Sequence, residues 1–130
     1  MYVLDTNTLI YFFKGQGNVA DVLLSKSPKD IGIPAVVLFE LEVGIAKSSS
    51  PGKRTRQLKE LTSVIKIIPF GAKEAKISAS IRAELEKKGT PIGPFGLLIG
   101  GTALAHGATL ITRNTNEFKR IKKLHLENWF

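Results

Sequence analysis

Short apolar runs recur along this chain with helical patterns between them, and that alternation restricts the fold more than any other feature of the sequence. Tyr2-Val3-Leu4, Ile31-Gly32-Ile33-Pro34, Val64-Ile65-Lys66-Ile67-Ile68, Ala108-Thr109-Leu110-Ile111-Thr112 and Leu124-His125-Leu126 read as strands, the third being the most β-branched. Between them, apolar spacing and helix-stop residues predict helices over about 6–14, 19–24, 36–43, 54–61, 72–88 and 95–106, with a short basic helix before the last strand. Helices alternating with short apolar strands imply an α/β fold. The expectation is one three-layer domain over residues 1–130, a central parallel sheet flanked by helices. Hydrophobic residues make up 43% of the chain, enough to build that core without metal or disulfide staples.

Composition narrows the function. There is no cysteine, which excludes a disulfide framework, thiol catalysis and a cysteine-ligated zinc site, and is compatible with a reducing compartment. No basic segment precedes an apolar stretch at the amino terminus, so neither a signal peptide nor a membrane span is expected, and the cytoplasm is the default location. The net charge is +8, from 19 Lys and Arg against 11 Asp and Glu, which favours a polyanionic partner such as RNA or DNA. Basic runs at Lys53-Arg54-Thr55-Arg56, Lys87-Lys88 and Lys119-Arg120-Ile121-Lys122-Lys123 point the same way, although any single run also suits an ordinary solvated face.

Candidate chemistry begins at Leu4-Asp5-Thr6-Asn7, where an apolar strand delivers a carboxylate to its carboxyl end. Open α/β sheets bind ligands at that edge, and Thr6 or Asn7 can cap the following helix. The competing reading makes Asp5 itself no more than a helix cap. A second acid lies in Phe39-Glu40-Leu41-Glu42, where Glu40 interrupts the apolar side of a helix. Glu42 lies about 200° around the axis at ~100° per residue, so the two cannot face one site. Burial of an unpaired carboxylate is unfavourable, which singles out Glu40, with an ion pair to a lysine as its alternative role.

Taken in order, these residues resemble the PIN-domain ribonucleases and, among them, the VapC toxins of toxin–antitoxin pairs. The resemblance rests on Leu4-Asp5-Thr6-Asn7, Phe39-Glu40-Leu41 with Gly44, and Ile81-Arg82-Ala83-Glu84-Leu85 followed by Gly89-Thr90-Pro91-Ile92-Gly93-Pro94. Ala108-Thr109-Leu110-Ile111-Thr112 with Asn114 and Glu117-Phe118, and the closing Leu126-Glu127-Asn128-Trp129, complete it. It implies a Mg2+-dependent endoribonuclease, with Mn2+ as an alternative ion, whose acids activate water against an RNA phosphodiester. Asp5 and Glu40 match the family's first two acids, and Glu117 stands in for its last, so the implied metal set is Asp5, Glu40 and Glu117. Thr6 and Asn7 would orient the acids; Thr112 or Asn114 would position water or phosphate. Arg82, Arg113, Lys119 and Arg120 are the residues expected to guide RNA. The resemblance further implies a homodimer and a small cognate antitoxin, with Trp129-Phe130 sealing a dimer or an antitoxin groove.

One position departs from the family pattern. After Ile92-Gly93-Pro94 and one apolar residue an aspartate is expected before Leu97-Leu98-Ile99, but Gly96 stands there and offers no side-chain oxygen. Loss of even an outer partner of a metal site typically lowers affinity or activity by about 10–100-fold, which implies an impaired nuclease. The alternative is a catalytically dead PIN module that binds RNA or antitoxin without cleavage. A phosphatase with Asp5 as nucleophile is disfavoured, because haloacid-dehalogenase-like enzymes want a second acid two residues later and this chain has Asn7. Gly71 likewise stands where the family often has a polar cap. Gly100 and Gly101 are expected to permit close helix packing, since Gly93, Gly96, Gly100 and Gly101 have neither Walker nor Rossmann spacing. His106 and His125 are isolated and are expected to be structural or exposed; Phe12, Phe13, Phe39 and Phe70 are expected in the core.

Overall fold

The computed structural model describes residues 1–130, in which five parallel strands form one sheet. The strands are β1 (Tyr2–Leu4), β2 (Ile31–Pro34), β3 (Lys66–Ile68), β4 (Thr109–Ile111) and β5 (His125–Glu127). Their order across the sheet is β3-β2-β1-β4-β5, with Tyr2 opposite both Ile31 and Thr109, Leu4 opposite Ile111, and Ile111 opposite Glu127. The connections are helical: α1 (Thr6–Lys14) and α2 (Val19–Leu24) after β1, α3 (Ala35–Lys47) and α4 (Gly52–Thr62) after β2, α5 (Ala72–Lys87) and α6 (Pro94–Ala105) after β3, and α7 (Thr115–Phe118) after β4. Helices of this kind cover both faces of a parallel sheet, so its central strands are apolar on each side. Val3, Leu4, Ile33, Leu110 and Ile111 are accordingly fully buried, each such side chain contributing about 1.5–3 kcal/mol by leaving water.

The strand order fixes where a site can form. From β1 the chain winds outward through β2 to β3, then returns across the sheet to β4 and β5 on the other side. Helices leaving β1 and β4 therefore diverge and open a crevice beyond the carboxyl ends of these two strands, at the topological switch point. Asp5 follows β1 and Thr112 follows β4, so both stand at that crevice.

Some expectations need correction. The third strand begins at Lys66 rather than Val64, whose side chain is 61% exposed at the sheet margin. No basic helix precedes β5: α7 is a single turn ending at Phe118, and Lys119–Lys123 runs through turns that include Lys123 at φ 67°. Phe118 and Ile121 bury themselves three residues apart and hold this segment against α6, leaving its lysines outward. Phe39 is not core; it is 52% exposed and tilts against exposed Phe95 at 5.8 Å. On α5 the apolar positions Ala75, Ile77, Ala79, Ile81 and Leu85 are the expected inner face, but the buried stripe is Glu74, Ser78, Ile81 and Leu85, while Ala75 and Ala79 face solvent.

That stripe explains the two glycines of α6. Gly101 packs so tightly on Ser78 that an added Cβ would overlap Ser78 Oγ and come within 2.9 Å of its Cβ; at Gly100 it would reach Ile121 Cδ1 at 2.7 Å. Close helix packing, as expected for both, is what they serve. Glu74 ties the ends of the helix pair, accepting from the Gly71 amide at 2.9 Å and meeting His106 Nε2 at 2.8 Å. Gly71 therefore caps α5 with its backbone, without a polar side chain of its own.

Candidate active site

Asp5 caps a helix and also lines the crevice at the sheet edge. Its backbone is extended (φ −79°, ψ 172°), its side chain accepts from the Thr8 amide at 2.9 Å, and helix α1 starts immediately after it. The expected caps, Thr6 and Asn7, are thus already inside the helix. The Thr8 hydroxyl binds the Ile111 carbonyl at 3.1 Å and the Asp5 amide binds the same carbonyl at 3.1 Å, locking the start of α1 to the end of β4. With only 7% of its surface exposed, the Asp5 carboxyl is pushed above its ordinary range by burial, opposed by hydrogen bonding from Thr112 and Thr8. Thr8 is the residue that reading the sequence missed; its position three after an acid at a strand-to-helix junction was the available signal.

The other acids arrive from separate elements. Glu40 sits on α3 and accepts from the Thr6 hydroxyl at 2.6 Å, while Glu42 is exposed elsewhere on the helix. Glu117, on α7, accepts from Asn114 Nδ2 at 2.7 Å and from the Gly93 amide at 3.3 Å. Asn114 in turn donates its backbone amide to the Thr112 hydroxyl at 3.0 Å, which ties that loop to the fully buried Thr112. Asp5, Thr6, Asn7, Glu40, Gly96, Asn114 and Glu117 line one cleft of about 230 Å³, walled by Phe95, Ile99 and Phe118. Gly96 is the third residue of α6, and a Cβ there would lie 3.5 Å from Phe118 Cζ and 3.9 Å from Glu117 Oε1, in ordinary contact.

The basic residues separate. Arg113 lines a recess beside the cleft together with Asp5, Asn7, Tyr11 and Asn114. Arg82 pairs with Glu86 at 3.3 Å and lines a different groove, with Pro91 and Ile92. Arg120 donates to the Pro91 carbonyl at 2.9 Å, and Lys119 is exposed without lining the cleft. Trp129 and Phe130 do not stand free for a partner: Trp129 is 5% exposed against Tyr2 at 5.3 Å, and Phe130 lies edge-on to Tyr11 at 4.9 Å.

The donor chemistry can be set against a hard divalent cation. Mg2+ takes oxygen ligands and is commonly held by one or two carboxylates with its other positions on water or substrate. Asp5 and Glu40 supply charged oxygens, and the desolvated Asp5 is stabilised as an anion by a neighbouring cation. Nowhere in the chain do three acids or histidines stand close enough to form a complete cage. The residues fit a cation gripped from one side, opposite a wall that is bare at Gly96.

An all-parallel five-stranded sheet with acids at its switch point is the architecture of a PIN domain, and the PIN domain family matches residues 2–124. Ribonuclease VapC2 of Rickettsia felis is 39% identical over 99% of this chain and 98% of its own length. The tRNA(fMet)-specific endonuclease VapC of Salmonella typhimurium is 31% identical over 98% of this chain and 97% of its own. In three dimensions, the fold superposes with a TM-score of 0.91 on a chain of VapBC2 from Rickettsia felis bound to a promoter DNA fragment, at 39% identity, covering 99% of this chain and 98% of that one. It superposes with a TM-score of 0.92 on a chain of DNA-bound VapBC from Salmonella typhimurium, at 31% identity and with the same coverage. The chain belongs to the VapC ribonuclease toxins of the VapBC toxin–antitoxin systems. No helix in it is long and apolar enough to cross a membrane.

Proposed function

We propose that this chain is a cytoplasmic endoribonuclease toxin, dependent on Mg2+ or Mn2+, whose cleavage is weakened by glycine at position 96. The observation that carries this reading is the gathering of Asp5, Glu40, Glu117 and Gly96 around one cleft at the switch point of the sheet. Asp5 and Glu40 would hold the ion, with Glu117 beside them; when bound, it lowers the pKa of water and neutralises charge on the leaving oxygen. The chain's own residues do the rest. Thr6 keeps Glu40 turned into the cleft, Thr8 and Thr112 fix Asp5, and Asn114 and the Gly93 amide hold Glu117. Phe95, Ile99 and Phe118 limit water on the far wall.

The substrate is RNA, as the +8 charge supports, and transfer RNA is the first class to test because the Salmonella relative is named for tRNA(fMet). The partners are a cognate antitoxin and a second copy of the chain, consistent with the exposed Phe39 and Phe95 beside the cleft. Incubation of the purified chain with total cellular RNA and Mg2+ should give slow cleavage that Asp5→Ala abolishes. Equal cleavage by the two forms would place the chemistry elsewhere. A second reading, a PIN module that binds without cutting, is favoured by Gly96 alone; it predicts no cleavage even from Gly96→Asp, with RNA or antitoxin binding intact.

A further inference from the structure

Arg113 lines a recess together with Asp5, and the fold holds it against aromatic rings. Its guanidinium lies 3.7 Å from the centre of the Phe130 ring and 5.7 Å from that of Tyr11. The ion pairs of the chain join Arg82, Lys88, Lys122 and His106 to glutamates; Arg113 takes part in none of them. Its side chain also makes no hydrogen bond within the chain, although the amide and side chain of Asn114 beside it are both engaged. A guanidinium carries five donors in a planar fork. Here its donors are free and its charge has no carboxylate partner, while two aromatic rings flank it.

The rings are themselves anchored. The Phe130 carbonyl accepts from the Asn18 amide at 2.6 Å, and Gly17, at φ +61°, lets the ring sit where any Cβ would approach within 2.8 Å. The turn between α1 and α2 thus clamps Phe130, Phe130 and Tyr11 face the guanidinium, and the guanidinium lines a recess of about 260 Å³ that shares Asp5, Asn7 and Asn114 with the acidic cleft.

We propose that this recess is a phosphate subsite, in which Arg113, held by Phe130 and Tyr11, grips a backbone phosphate of the RNA next to the one at the acids. The proposal rests on the ribonuclease reading above. A bidentate fork suits two phosphate oxygens, and an unpaired cation draws a polyanion past carboxylates that would otherwise repel it. Phe130 and Tyr11 are positioning residues, and Arg113 makes the contact. The arrangement would seat one phosphate at Asp5 and Glu40 and a neighbouring one at Arg113.

The test is binding of a fluorescein-labelled decauridylate to the full chain in EDTA, where no cleavage competes, as a function of salt. Arg113→Ala should weaken binding roughly tenfold, the scale of one charge-assisted contact, and reduce the salt slope by about 0.7, the value for one phosphate on a single strand. Phe130→Leu should weaken it about threefold through loss of the ring face, and Phe130→Tyr should restore it. In the Arg113→Ala background, Phe130→Leu should do nothing further, which a merely structural role for Phe130 would not produce. Lys66→Ala, at the far edge of the sheet, should leave the slope unchanged. If Arg113→Ala binds like the parent, if Lys66→Ala lowers the slope equally, or if the two substitutions are additive, the subsite is wrong and the ribonuclease reading stands. If the parent chain does not bind decauridylate even at low salt, the subsite falls, while the ribonuclease reading is decided separately by cleavage of total cellular RNA.

Discussion

Replacing Gly96 by aspartate would add a carboxylate to the wall of the cleft beside Glu117, and its effect divides into separate contributions. The backbone gains first: glycine in a helix is less favourable than other residues by about 0.5–1 kcal/mol, and an acid in the first turn adds about 0.3–1 kcal/mol with the helix dipole. Space is no obstacle, because the new Cβ meets Phe118 at 3.5 Å. Repulsion opposes these gains. Glu117 Oε1 is 3.9 Å from the Cβ position, and two like charges about 4 Å apart repel by roughly 1 kcal/mol in water and 4 kcal/mol at an effective dielectric of 20. Without metal, Gly96→Asp should therefore be no more stable than the parent and less stable than Gly96→Ala. Mg2+ at about a hundred times its Kd would stabilise the folded state by roughly 2.7 kcal/mol, or about 10 °C in a chain of this size. The assay is thermal unfolding of parent, Gly96→Ala and Gly96→Asp in EDTA and across a Mg2+ titration. An equal Mg2+ response in all three would remove position 96 from the site.

Other perturbations address the packing and the acids. Gly101→Ala should destabilise the chain by about 1–3 kcal/mol in urea unfolding, because its Cβ overlaps Ser78, and Ser78→Gly in the same chain should recover part of the loss. Glu74 is held below its ordinary 4.5 by the Gly71 amide first, with its own amide and His106 adding to the shift, so its stabilisation is complete above that value and is lost as pH falls through the lower folded pKa. Glu74→Gln should accordingly flatten the acid limb of the stability curve below about pH 4.5. Asp5 is shifted upward by burial, so the folded chain binds its proton more tightly than the unfolded chain does and loses stability as pH rises from 3.8 through the raised value. Asparagine is an equal cap, so Asp5→Asn should be the more stable form at neutral pH in EDTA, with a gain that fades on acidification.

Much of the fold was legible because the strands are short, buried and punctuated by proline or by a polar cap. The helices over 6–14 and 19–24 and the strand ending at Pro34 stand where periodicity placed them. Periodicity failed where tertiary contacts chose the face. On α5 the apolar set Ala75, Ile77, Ala79, Ile81 and Leu85 placed Ile81 and Leu85 correctly, but the inner face continues through Ser78 and Glu74, where Gly101 packs on Ser78 and His106 meets Glu74. Lys119–Lys123 looked helical by composition, yet Phe118 and Ile121 dock on α6 and stop the helix after one turn. At the site, Asp5 and Glu40 could be picked out as acids at a strand end and on an apolar helix face, and Glu117 only through the family resemblance; all three line one cleft. What no local pattern carries is the meeting of Arg113 with Phe130, which depends on how the last strand returns beside β4.

The two halves of the active edge follow different electrostatic rules, and Gly96 acts on only one of them. Carboxylates in the cleft attract a divalent cation and repel the phosphodiester that cation is needed to bind. Each added acid therefore strengthens metal binding and weakens RNA binding in its absence. Arg113, flanking the same cleft without a carboxylate partner, works in the opposite sense and is independent of metal. An aspartate at position 96 would add one negative charge beside Glu117 while leaving Arg113, Tyr11 and Phe130 untouched. On the proposed reading affinity separates from turnover: Gly96→Asp should speed metal-dependent cleavage, while in EDTA the parent should hold RNA at least as firmly as Gly96→Asp.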